Sequence, residues 1–134
     1  MTNSPTIPVS WGELIDKITI LEIKARKATD PLVKARVEGA LVPLIDARGV
    51  VPSALGGAAK DLARINERLF YFEDRIRELI DNEDFGPVFV FTSVGIREYN
   101  DLRATIKRFI DDVTDSGVTE EKIYSPRGKR NATT

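Results

Sequence analysis

Histidine and cysteine are both absent from these 134 residues, so any chemistry must run on carboxylates, Lys, Arg, Tyr, Ser or Thr. That excludes Ser-His-Asp and Cys-His nucleophile arrangements, sulfur-based zinc sites and disulfides. The informative polar residues are those that intrude on apolar helical stripes. Glu22 lies beside Leu21 and one turn from Ile18. Asn66 and Glu73, seven residues apart and so aligned on a helix, border the stripe Leu62, Ile65, Leu69, Phe72, Ile76 and Leu79. Arg103 takes an apolar heptad slot, with Asn100 three residues before it and Lys107 four after. Burying such charges is costly unless they pair, which leaves two readings. One is a salt-bridge network fixing helix register, or snorkelling at the bundle edge. The other is a polar pocket in which Arg103 and Lys107 bind an anionic group and Glu22 or Glu73 acts as acid or base. Glu73, apolar on both sides, is the better acid/base candidate, and Glu73 facing Arg103 is the expected contact.

A second constellation is a repeated Glu-x-x-Asp spacing, Glu13 with Asp16 and Glu98 with Asp101. Carboxylates three apart share a helix face, and two such helices can hold Mg²⁺ through oxygen ligands. The spacing resembles the metal motif of the all-α nucleotide pyrophosphohydrolases. That resemblance implies a Mg²⁺-dependent enzyme on phosphorylated small molecules, although here the two pairs lie on the first and last helices. Residues 14–26 resemble the long first helix of the helical chorismate mutases, which implies a charged bundle core acting on a dicarboxylate; the later basic residues follow a different order. Outside the Mg²⁺ reading, no cofactor is expected.

The phrases SWGELIDKITILEIK (10–24), INERLFYFEDRIRE (65–78) and REYNDLRATIKRFI (97–110), with a trailing EEKIY (120–124), resemble a family of small bacterial proteins of unknown function. The resemblance spans roughly 9–124. It implies an all-helical single domain in a bacterial cytosol and carries no activity.

The elements that would position these residues read as helices. Residues 1–8, with Pro5 and Pro8, form an extended leader with no secretory pattern. Ser10 and Glu13 have capping-box spacing, with Val9 and Leu14 placed for a hydrophobic staple. The first helix runs to about Ala28, burying Trp11, Leu14, Ile15, Ile18, Leu21 and Ala25, with Ile20 and Ile23 off that face, where they either pack on a third element or mark a partner surface. Asp30-Pro31 starts a second helix, stopped at Gly49 and kinked or broken at Pro43. Residues 49–57 are a loop. The chain is organised around a long central helix, from Gly57 or Ala58 to Asp81. After a turn at 82–87, ValPheValPheThr at 88–92 favours a strand by composition. The apolar positions Phe89, Thr92, Ile96, Tyr99, Ile106 and Ile110 nevertheless keep heptad steps, so one helix is expected over 87–113. One further turn at 119–122 and a disordered tail over 125–134 complete the reading.

The fold class is therefore all-α: a single-domain antiparallel bundle of about four helices over 9–124, with long central and C-terminal helices. A net charge of −1 offers no field for nucleic acid or anionic membrane, no apolar run spans a bilayer, and the cytoplasm is the expected setting. Trp11, Ile20, Ile23, Phe70 and Tyr71 exceed what four helices would cover, so a homodimer is expected. The leading functional reading is a binding protein with a polar pocket for a small anionic ligand between the central and last helices.

Overall fold

A computed structural model describes residues 3–114, and its four α-helices are α1 (Trp11–Lys27), α2 (Pro31–Arg48), α3 (Gly56–Asp81) and α4 (Pro87–Thr114). Among the described residues there is no strand. ValPheValPheThr at 88–92 lies inside α4, so its heptad register prevails over its β-propensity, as burial routinely overrides local preference. The expected turn at 119–122 and the tail lie outside the described residues. None of the helices is long and apolar enough to cross a membrane.

The helix boundaries follow from local chemistry. Ser10 Oγ accepts the Glu13 amide at 3.1 Å, and Asp30 Oδ1 accepts the Leu32 amide at 2.9 Å. Both caps satisfy amides that a first turn leaves without a helical partner. The capping box is only half made, because Glu13 reaches across to Lys107 at 2.8 Å. Gly49, at φ 60°, ends α2 in a backbone region that side-chain-bearing residues rarely adopt. α2 continues unbroken through Pro43. The carbonyl that the proline ring crowds belongs to Gly39, one turn earlier in the same helix. α3 closes with Asp84 N donating to Leu79 O and Glu83 N to Ile80 O, a Schellman arrangement that places Glu83 at φ 55°.

Packing moves the centre of the fold from α3 to α1, which touches each of the other three helices. α3 and α4 form the long hairpin, α1 lies in its groove, and α2 covers the outer side of α1. Contacts run from Gly12 with Asp111 to Asp16 with Arg103, so α1 and α4 are antiparallel. Two clusters share Trp11 at their border: Ile15, Leu55, Leu62 and Ile110 on one side, Leu14, Ile18 and Leu41 on the other. Ile23, expected off the buried face, is 1% exposed. The reason is a second buried row on α1, Gly12, Asp16, Thr19 and Ile23, which faces α3 and α4. Ile23 is thus unavailable as a partner surface.

Leu55 lies in the expected loop, within a 3₁₀ turn at Ser53–Leu55, yet it is fully buried in the first cluster. Truncating a buried leucine loses transfer free energy and leaves a cavity. Leu55→Ala is expected to lower unfolding free energy by about 3 kcal/mol in urea titration, although the residue lies outside the four α-helices.

Candidate functional site

The second buried row of α1 carries a carboxylate into the interior. Asp16 is 1% exposed and is met by donors from two other helices. Arg103 of α4 grips it bidentately, Nε to Oδ1 at 2.9 Å and Nη2 to Oδ2 at 2.5 Å. Asn66 of α3 donates through Nδ2 to Asp16 Oδ1 at 2.9 Å and to Thr19 Oγ1 at 2.7 Å. Thr19 in turn donates to the Asp16 carbonyl at 2.8 Å. Lys107 Nζ stands 3.9 Å from Asp16 Oδ2 and 2.8 Å from Glu13 Oε2. Among the described residues, no buried side-chain nitrogen or oxygen is left without a partner. A buried ion pair is tolerable in this state, with charge met by charge and both oxygens of the Asp16 carboxylate accepting hydrogen bonds.

A second buried carboxylate closes the N-terminal end of the same seam. Asp111, 2% exposed, accepts the Gly12 amide at 2.7 Å. It sits where the aligned peptide dipoles at the start of α1 favour negative charge. α1 and α4 approach so closely here that a Cβ on Gly12 would lie 2.4 Å from the Lys107 carbonyl oxygen.

Beside the Asp16 network opens a cleft of about 420 Å³ between α1, α3 and α4, lined by Ile20, Lys24, Asn66, Leu69, Phe70, Glu73, Asp74, Arg77, Asn100 and Arg103. Four of the six residues singled out as ligand-binding candidates therefore come together: Asn66, Glu73, Asn100 and Arg103. Asn100 Oδ1 accepts a long hydrogen bond from Arg103 Nη1 at 3.4 Å. Lys107 is buried on the far side of Arg103, turned toward Glu13 and Asp16. Glu22 is separate. It lines a smaller cavity of about 190 Å³ with Thr19, Arg48 and Lys60.

The expected Glu73–Arg103 contact gives way to Asp16–Arg103. Glu73 is exposed at the cleft wall and makes no ion pair among the described residues. The same holds for Lys24, Asp74 and Arg77, so the cleft presents two cations and two anions without a protein counter-charge among the described residues. Of the Mg²⁺ candidates, Glu13 and Asp16 face Lys107 and Arg103, while Glu98 is exposed and Asp101 half-buried on α4. Among the described residues, no group of three or more carboxylates is placed to hold a metal ion.

Sequence spacing alone left Asp16, Thr19 and Gly12 unconnected, and passed over Lys24, Asp74 and Arg77. A usable signal was present for the first group: Gly12, Asp16, Thr19 and Ile23 follow one another at steps of four, three and four, a second helical row of small and polar residues. No family model matches the chain, and no curated protein or solved structure matches it either.

Proposed function

We propose that this protein is a binding protein whose cleft between α1, α3 and α4 takes a small polar molecule carrying an anionic group. The observation that carries the reading is the division of labour among the cleft's charges. Arg103 is fixed in place by the buried Asp16, whereas Lys24 and Arg77 line the same cleft without an ion-pair partner among the described residues. A wall held rigid by buried hydrogen bonds suits a small polar ligand whose anionic group meets Lys24 and Arg77 and whose donors meet Glu73 and Asp74, since little side-chain order has to be imposed on binding. Ile20, Leu69 and Phe70 supply the apolar wall that such pockets use for the body of a ligand, and the volume falls in the range of small-molecule sites.

Binding is preferred to Mg²⁺-dependent catalysis because Asp16, the most buried of the four Glu-x-x-Asp carboxylates, already faces Arg103 and Lys107. A divalent ion there would have to displace a cationic side chain from a carboxylate removed from water.

Calorimetric titration with orthophosphate, a series of dicarboxylates and nucleoside monophosphates tests the proposal. At least one anion is expected to bind, and Arg77→Glu is expected to weaken it about tenfold or more, the equivalent of one charge-assisted hydrogen bond. Unchanged affinity in Arg77→Glu and Lys24→Glu, or no binding by any of these anions, would remove the cleft from consideration.

A further inference from the structure

α4 carries two apolar rows, and the fold uses one of them. The inner row, through Thr92, Ile96, Tyr99, Ile106 and Ile110, faces α3 and α1. The outer row consists of Val88, Phe91, Val94, Leu102, Phe109 and Val113, at separations of three, three, eight, seven and four residues. Separations of three, four, seven and eleven return to one side of a helix, so Phe91, Leu102, Phe109 and Val113 share a face that Val88 and Val94 flank. Phe91 is 71% exposed and the other five lie between 46% and 51%. An apolar strip of this size, broken once by Glu98, is more than a monomer ordinarily leaves in water.

We propose that the outer row of α4 is the homodimer interface, with the α4 helices of two copies packed antiparallel. Three observations favour a second copy over other occupants. The strip runs from residue 88 to 113, about 38 Å at 1.5 Å per residue, and only a partner with an equally long straight apolar row covers it end to end. Residues 115–134 offer Val118, Ile123 and Tyr124 as their large apolar residues, too few to do so. The row is also self-complementary when reversed. With the two-fold axis at residue 100, Phe91 meets Phe109 of the other copy and Val88 comes within one residue of Val113, which is the isologous geometry of a C2 dimer.

The direction follows from Glu98, which lies within the row between Val94 and Leu102. A parallel pair would set Glu98 against its own symmetry mate in an apolar seam, a like-charge contact that is destabilising. The antiparallel pair separates the two carboxylates and lays each Glu98 stem beside Leu102. Six half-exposed apolar side chains per copy, with their polar flanks, bring the buried surface to the roughly 1,000 Å² that a specific interface requires.

The surface differs from the one expected from Trp11, Ile20, Ile23, Phe70 and Tyr71, and it is independent of the cleft. The full chain should sediment as a dimer at micromolar concentration, with Phe91→Glu and Phe109→Glu each shifting it to monomer while helical circular dichroism is retained. Because the chain has no cysteine, a Phe91→Cys chain mixed with a Phe109→Cys chain supplies a second readout. Oxidation should yield the mixed disulfide in preference to either homodisulfide. A monomer at every concentration, a dimer that survives both glutamate substitutions, or a predominance of 91–91 and 109–109 crosslinks would overturn the proposal.

Discussion

Asp16→Ala is expected to destabilise the protein by about 3 kcal/mol, as read from urea or guanidinium denaturation. The substitution takes the carboxylate from a seam where Arg103 grips it with two hydrogen bonds and Asn66 with a third. Removing one member of a buried ion pair typically costs 3–5 kcal/mol, roughly, because the remaining partner keeps its desolvation penalty and loses its compensation. The lower end applies here, since the Arg103 side chain is 28% exposed and water at the cleft can reach it. A double-mutant cycle separates pairing from packing. Arg103→Met in the Asp16→Ala background should cost much less than in the wild type, with a coupling of about 1–3 kcal/mol. Additive losses would mean that Asp16 and Arg103 are stabilised by separate surroundings and do not form a unit.

Gly12→Ala carries the other large effect, and its sign runs against local propensity. At a helical position alanine normally outperforms glycine by up to about 1 kcal/mol. Here the new Cβ would lie 2.4 Å from the Lys107 carbonyl oxygen and 2.8 Å from Asp111 Oδ1. The nearest obstacle is backbone, so α1 must withdraw from α4. That withdrawal stretches the Gly12–Asp111 hydrogen bond and the Glu13–Lys107 ion pair together. A net loss of about 2–3 kcal/mol is expected, in the range of overpacked sites. Gly39→Ala is the internal control. It sits within α2 with nothing within 4 Å of the added carbon, and stability should rise by roughly 0.5–1 kcal/mol. Equal effects at the two glycines would contradict the close approach of α1 and α4.

The helices were largely legible because each boundary has a local cause. Ser10, Asp30-Pro31, Gly49 and Pro87 mark ends that need no tertiary information, and the row from Leu62 to Leu79 is long enough for its period to be unambiguous. Even the β-rich run at 88–92 could be read as helix from the heptad steps that follow it. Less visible was which helix stands at the centre. α3 has the longer apolar stripe, but a helix surrounded on several sides need not be apolar all round when its second face is filled by Gly12, Asp16 and Thr19. Small and hydrogen-bonded polar residues look solvent-facing to a hydrophobicity pattern, so α1 was read as one-sided.

The same blindness shaped the candidate site. Asn66 and Arg103 were found because they interrupt stripes, and they do meet, but through Asp16, a residue whose own row gave no apolar frame to interrupt. Glu73 aligns with Asn66 on α3, which makes it the expected partner from spacing. Its side chain instead remains at the cleft wall, where α1 contributes Ile20 and Lys24. Pairings between helices depend on their relative rotation and direction, which no single stripe determines. Leu55 shows the complementary limit: a loop assigned from its glycines and proline still sends one side chain into the core.

The cleft beside the Asp16–Arg103 pair is proposed to hold a small anionic ligand. Backbone amide chemical-shift mapping by NMR, on the full chain titrated with the orthophosphate, dicarboxylate and nucleoside monophosphate series, addresses it most directly. Saturable shifts are expected for at least one of these anions, concentrated at Ile20, Lys24, residues 66–77, Asn100 and Arg103, and abolished in Arg77→Glu. Shifts absent throughout the series, or confined to α2 and the smaller cavity around Glu22 and Arg48, would contradict it.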